Sequence, residues 1–169
     1  MRGLVPERGT KFMSKYEFTN ETKKIKDVLG NFHTLHRIKA LKDFDDVKKG
    51  DLGGWLEKES NLSHEGNCWV CDNAMVYGNA MACDNAQVCD NAQVYGNARV
   101  YGNAQVYDDA TVFVSAQVFG HARVYGNAWV LSNAQVYDNA QVYDHAWVSG
   151  NTEVCGNTEV CGNTEVGGD

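Results

Sequence analysis

The side chains of this chain that could do chemistry are set at one interval. Asp72, Asp90, Asp108 and Asp144 stand 18 residues, or a multiple of 18, apart, with Gly126 filling the gap. Stacked carboxylates repel one another, which favours a cation or a basic partner beside them. Asp is also a good turn former, and bend closure alone would explain the same column. Cys71 and Cys89 are again 18 residues apart, in principle close enough to bridge. Cys83, Cys155 and Cys161 share their place in the pattern, so these cysteines are expected as reduced, outward substitutes for Tyr. No cysteine pair has the spacing or the histidine company of a zinc site. His121 and His145 occupy the Asn position of a bend, where Asn, Asp and His all tolerate the turn backbone. His33, His36 and His64 lie ahead of the repeats, with no nucleophile or carboxylate pattern that specifies a triad. "GDLGGW" lacks the Lys-Ser/Thr of a phosphate loop. These residues assign no catalytic group, no metal and no cofactor.

The interval comes from a repeat. From Val70 to Val166 an aliphatic anchor recurs every sixth residue, with Ala82 replacing one Val, giving 17 units without insertion. A small residue, usually Ala, precedes each anchor by two. In an extended segment alternate side chains share a face, so Ala and Val of "AQVY" point inward while Gln and Tyr point outward. The following Gly/Asp-Asn pair suits a corner, because Gly and Asn tolerate positive φ and Asp can close a turn. Such short strands cannot bury a face alone and must stack. Period six predicts a hexapeptide β-helix with three units per coil, about five to six coils in all.

Residues 18 apart therefore lie in columns. Three aromatic ladders are predicted: Tyr107, Tyr125 and Tyr143; Tyr77, Tyr95 and Phe113; Tyr101, Phe119 and Tyr137. They would stabilise the coils by stacking, or offer a platform to a ligand or protein. Trp129 and Trp147 share an outward column that elsewhere holds Gln93, Thr111 and Glu165. With Leu131, Phe113 and Val114 they predict an exposed apolar patch, which points to a protein interface.

Charge divides the chain. Residues 1–50 carry 12 Lys/Arg and 7 Asp/Glu, whereas residues 51–169 carry 3 and 15. The acidic part disfavours nucleic acid and favours basic partners. The sequence contains no apolar run of membrane-spanning length and no signal-peptide core, which leads to an expected cytoplasmic location without membrane association. "ERGTKFMS" resembles a translated ribosome-binding site ahead of Met13, so residues 1–12 are expected to be an upstream extension or cloning remnant. Residues 13–50, with "KYEFTNETKKI" and "TLHRIKAL", are expected to form a capping module of short strands. Residues 51–69 form an irregular first coil, entered by a tight bend at "KKGDLGGW", and residues 70–169 form the β-helix. The cap would protect an otherwise open strand edge.

The anchors resemble those of the hexapeptide-repeat, left-handed β-helix proteins, whose best-known members are acyltransferases. The segment Leu41–Ala74 is similar to the cap-to-helix junction of bacterial and phage hexapeptide proteins often labelled transferases. The resemblance implies an all-β, left-handed parallel β-helix with a small N-terminal cap. It also implies trimers as a common assembly and a His base with a loop excursion where acyl transfer occurs. The uninterrupted array lacks that excursion. The leading expectation is a non-catalytic binding protein, self-associating as a dimer or trimer or engaging a protein partner. It could be phage-encoded, acting in the host cytoplasm as an anti-defence inhibitor by occlusion or charge mimicry. The alternatives are an acyl-CoA-dependent acyltransferase using His121 or His145, and a sponge for a small signalling nucleotide.

Overall fold

The computed structural model describes residues 14–168, so the extension expected at residues 1–12 lies outside the described residues. From Trp69–Val70 to Glu165–Val166 the chain is a succession of two-residue strands separated by four-residue corners. Each strand pairs in parallel with the strand 18 residues on, as Gln105 with Arg123 and Val106 with Val124. Three sheets of nine, six and five strands result. They enclose a β-solenoid of about six turns. A ring of backbone bonds joins successive coils, among them Gln87 N–H to Ala104 O at 3.0 Å and Cys89 N–H to Val106 O at 3.0 Å.

The inward alternation holds throughout. Val70, Val76, Val88 and every Val anchor up to Val148 are fully buried, as are the paired alanines from Ala86 to Ala140. Each buried Val side chain contributes about 1.5–3 kcal/mol relative to an exposed one. At each corner one residue takes positive φ, and it is usually Gly or Asp. Some outward Tyr side chains reach the Gln on the same face of the next coil, 16 residues later, as Tyr101 Oη–H to Gln117 Oε1 at 3.0 Å and Tyr125 Oη–H to Gln141 Oε1 at 3.0 Å.

The N-terminal part differs in form from the expected short strands. Strand β1 (Tyr16–Lys26) and strand β2 (Phe32–Ala40) make one long antiparallel hairpin with a register shift between Phe18 and Thr22. Strand β2 pairs with β3 (Leu52–Leu56), and β3 pairs in parallel with Met75–Val76, so the hairpin continues the nine-stranded sheet. The tight bend expected at "KKGDLGGW" closes between Lys48 and Asp51, where the Asp51 amide donates to Lys48 O at 2.9 Å and Gly50 takes φ +95°, while Gly53 and Gly54 lie inside β3 and serve close packing. A Cβ on Gly53 would stand 2.7 Å from Ile38 and Trp69 side chains, and one on Gly54 2.5 Å from Ala74 O. The first coil is longer than the rest because Leu62 bridges to Ala82, 20 residues on. The surplus lies between Leu62 and Val70.

Candidate functional site

The turn at the hairpin tip, residues 27–31, leans over one corner column of the solenoid. Asp27 closes this turn: its carboxylate accepts from the Leu29 and Asn31 amides, each at 2.9 Å, and from Asn31 Nδ2 at 3.1 Å. Across the turn His33 contacts Asp27 Oδ2 through Nε2 at 3.1 Å and Glu57 Oε2 through Nδ1 at 3.0 Å. Ionised carboxylates only accept, so this geometry calls for the doubly protonated ring, which donates from both nitrogens. Partial burial opposes that charge, but the hydrogen bonds to Asp27 and Glu57 outweigh it and raise the His33 pKa. For Asp27, too, burial works against ionisation. The bonds from His33, Asn31 and Leu29 overcome it and hold the pKa at about 2. Glu57 completes the clamp by accepting from the Gly78 amide at 2.9 Å. With both nitrogens engaged, His33 anchors the tip and is not free to act as a base.

Between tip and corner lies a cleft of about 380 Å³, lined by Val28, Leu29, His33, Tyr77, Tyr95, Phe113 and Val114 among others. Its floor is the stacked Tyr77, Tyr95 and Phe113 ladder, with ring centroids 4.8 Å and 5.1 Å apart. This ladder points outward from the coils as predicted but is not exposed: Leu35 of the hairpin packs on it, and Tyr77, Tyr95 and Phe113 are buried outside the solenoid core. Burial pushes the Tyr95 hydroxyl up to about 12, so it stays a neutral donor. The other two ladders stack as predicted and remain half-buried, Tyr107 on Tyr125 at 4.9 Å and Tyr101 on Phe119 at 4.9 Å, continuing to Tyr143 and Tyr137.

The residues of the expected patch fall into two groups. Trp147 is exposed and stacks on Trp129 at 5.1 Å, and Val114 is 46% exposed. Phe113 does not belong to the exposed surface: it lies beneath the edge of Trp129 at 5.4 Å. Leu131 packs, half-buried, against the same cluster. The hairpin tip extends the patch, since Val28 and Leu29 line the cleft beside Val114 and are 61% and 83% exposed. Sequence reasoning missed the tip because only the fold brings it beside Val114. The isolated "VL" within a polar turn was its one local signal.

Val114 has a second peculiarity. Its φ is +62° in a corner column whose other members are Gly78, Gly96, Ser132 and Gly150. A left-handed backbone costs an L-residue about 1–2 kcal/mol, and a β-branched one is an outlier there.

The acidic column is a corner device. Asp72, Asp90, Asp108 and Asp144 are exposed with φ between 56° and 59°. Each carboxylate accepts from the corner amide one coil on: Asp90 N at 3.4 Å, Asp108 N at 3.1 Å, Gly126 N at 3.1 Å and Gly162 N at 3.0 Å.

Other titratable residues are dispersed. His121 and His145 are exposed at separate corners, and His121 borders a shallow cleft of about 420 Å³ with Arg123, Asn139 and Gln141. His64 Nδ1 accepts from the Lys15 amide at 3.0 Å. The Lys15 ammonium is buried and bonds Cys68 O at 2.7 Å and Gly66 O at 3.3 Å, tying the irregular corner of the first coil. Burial pushes the Lys15 pKa down and the Cys68 pKa up. Cys71 and Cys89, expected as separate thiols, are joined in a disulfide across adjacent coils. Direct stacking of their two corners brings the sulfurs together. No helix among the described residues is long and apolar enough to cross a membrane.

Comparison with known proteins agrees with this architecture. A family model described as the YdcK beta solenoid repeat matches residues 92–107, 116–132 and 134–150. The chain is 50% identical over 38 residues to a protein of Escherichia coli (strain K12) described as the uncharacterized acetyltransferase YdcK. That match covers 22% of this chain and 12% of the relative. The stacked parallel coils and the matched repeats make this chain a hexapeptide-repeat β-helix protein.

Proposed function

We propose that the chain is a non-catalytic binding protein whose apolar band receives a protein partner. The band runs from Val28 and Leu29 across the cleft to Val114 and on to Trp129 and Trp147. The observation that carries this reading is Val114, an exposed β-branched residue at φ +62°. It offsets coil stability with no packing gain of its own, and strain of this kind clusters at binding sites. The acidic array beside the band favours a partner segment with apolar side chains and basic flanks. The resemblance of Leu41–Ala74 to the junctions of bacterial and phage hexapeptide proteins supports reading the chain, within this proposal, as a phage-encoded protein that occludes a host factor in the cytoplasm. A photo-crosslinking residue at Leu29, compared with one at Arg99 on another face, tests the proposal in the native host. The expected result is one protein trapped from position 29 alone that, once purified, binds the chain and loses at least tenfold in affinity on Leu29→Glu. Equal trapping from both positions, or unchanged affinity, would overturn it.

The similarity to the acetyltransferase YdcK favours a second reading, acyl transfer from acyl-CoA, with His121 as base beside Arg123. Calorimetric binding of acetyl-CoA and a turnover abolished by His121→Ala, but not by Leu29→Glu, would support this reading over the first.

A further inference from the structure

We infer that Cys71, Cys89 and Asp72 form, when the two thiols are reduced, a binding site for one thiophilic divalent cation of the zinc class, closed when the cysteines are joined. The two cysteines sit on stacked corners with Cα atoms 4.7 Å apart. Their sulfurs and the Asp72 carboxylate oxygen all lie within 4.8 Å of one another. Tetrahedral zinc, with bonds of about 2.3 Å to sulfur and about 2.0–2.2 Å to oxygen, needs its ligand atoms roughly 3.5–3.8 Å apart. Side-chain rotation reaches that spacing without moving the coils.

The remaining cysteines provide an internal contrast. Cys83, Cys155 and Cys161 occupy the same position after the anchor, yet the residues one coil away from them are Tyr101, Tyr137 and Tyr143. Replacing Tyr by a small outward residue therefore does not by itself create a pair. Only Cys71 and Cys89 are consecutive in a column, and this column adjoins the aspartate corner. Asp72 is held in place because one of its oxygens accepts from the Asp90 amide at 3.4 Å, leaving the other to ligate. Such outer bonds orient metal-binding carboxylates. Cys71 and Cys89 are half-buried and Asp72 is exposed, so an ion can enter and the fourth position stays open to water. The acidic array draws cations to this face.

The two states exchange by balanced steps. An external dithiol reductant cleaves the Cys71–Cys89 bond, yields two thiols and leaves as its own disulfide. Coordination then joins the metal to both sulfurs and releases the two thiol protons to solvent. Metal and disulfide exclude each other, so cation binding reports the redox state of the surroundings.

The test uses the full chain, reduced and freed of metal, titrated with Cd²⁺ and followed by thiolate-to-metal ultraviolet absorption, with bound metal counted by elemental analysis. The expected result is one ion per chain in the reduced protein and none in the oxidised protein. Cys71→Ser and Cys89→Ser should abolish the absorption band. Asp72→Asn, which keeps the corner conformation, should weaken binding about 10–100-fold. Cys83→Ser should leave the titration unchanged. Equal binding by oxidised and reduced protein, or a loss on Cys83→Ser as large as on Cys71→Ser, would overturn the assignment. Full-strength binding by Asp72→Asn would remove the carboxylate from the site and overturn it in the stated form.

Discussion

At the scale of single residues, His33 and Val114 carry opposite duties. His33 fixes the hairpin tip through two charge-assisted bonds, each of a kind that contributes about 1.5–3 kcal/mol. His33→Ala is expected to lower stability by about 2–4 kcal/mol, measured by denaturant unfolding, and to loosen the tip in hydrogen exchange. The pH dependence follows from the two shifts. The raised His33 pKa gives stability that is fully present below the ordinary histidine value and is lost as pH rises through the raised value. Asp27, held at about 2, gives stability that is present above the ordinary carboxylate range and is lost as pH falls toward that value. The difference in melting temperature between the parent and His33→Gln should therefore peak near pH 4.5–6.5 and shrink on either side. Val114 does the reverse. Val114→Asn places a residue tolerant of positive φ at the corner and should stabilise the fold by about 1 kcal/mol, read as a rise of a few degrees in melting temperature.

At the scale of the element, the corner decides what a hexapeptide unit can contain. The corner aspartates combine tolerance of positive φ with a carboxylate that reaches the next coil. Asp108→Asn should be nearly neutral, while Asp108→Ala should cost about 1–2 kcal/mol for its backbone and more for the lost bond to Gly126, as equilibrium unfolding can show. Corner and strand were legible in the sequence because both obey strictly local rules. Alternation placed Ala and Val inside, and the Gly/Asp-Asn pair marked the bends. The columns followed from the period, so the stacking of Tyr107, Tyr125 and Tyr143 and of Trp129 on Trp147 could be foreseen. The hairpin could not, because its position depends on long-range pairing of β2 with β3. That pairing covers Tyr77, Tyr95 and Phe113, and it joins Asp27 and His33 to Glu57, 24 residues beyond His33. The Cys71–Cys89 pairing was visible as a spacing, but the expectation of a reducing compartment argued against it.

At the scale of the whole molecule, a basic hairpin is mounted on an acidic solenoid, and the apolar band crosses the seam between them. A partner with basic flanks should associate faster at low salt, with an on-rate falling about tenfold or more as ionic strength rises well beyond the physiological level. Stopped-flow mixing would measure that dependence. Rigidity comes from the stacked coils and adaptability from the tip held by His33, so binding should lower exchange at residues 27–33 and leave the coils unchanged. The most direct test of the binding account is the affinity of Val114→Asn for the protein trapped through Leu29. The account predicts a variant more stable than its parent that binds at least tenfold more weakly. Parental affinity in that variant would contradict it.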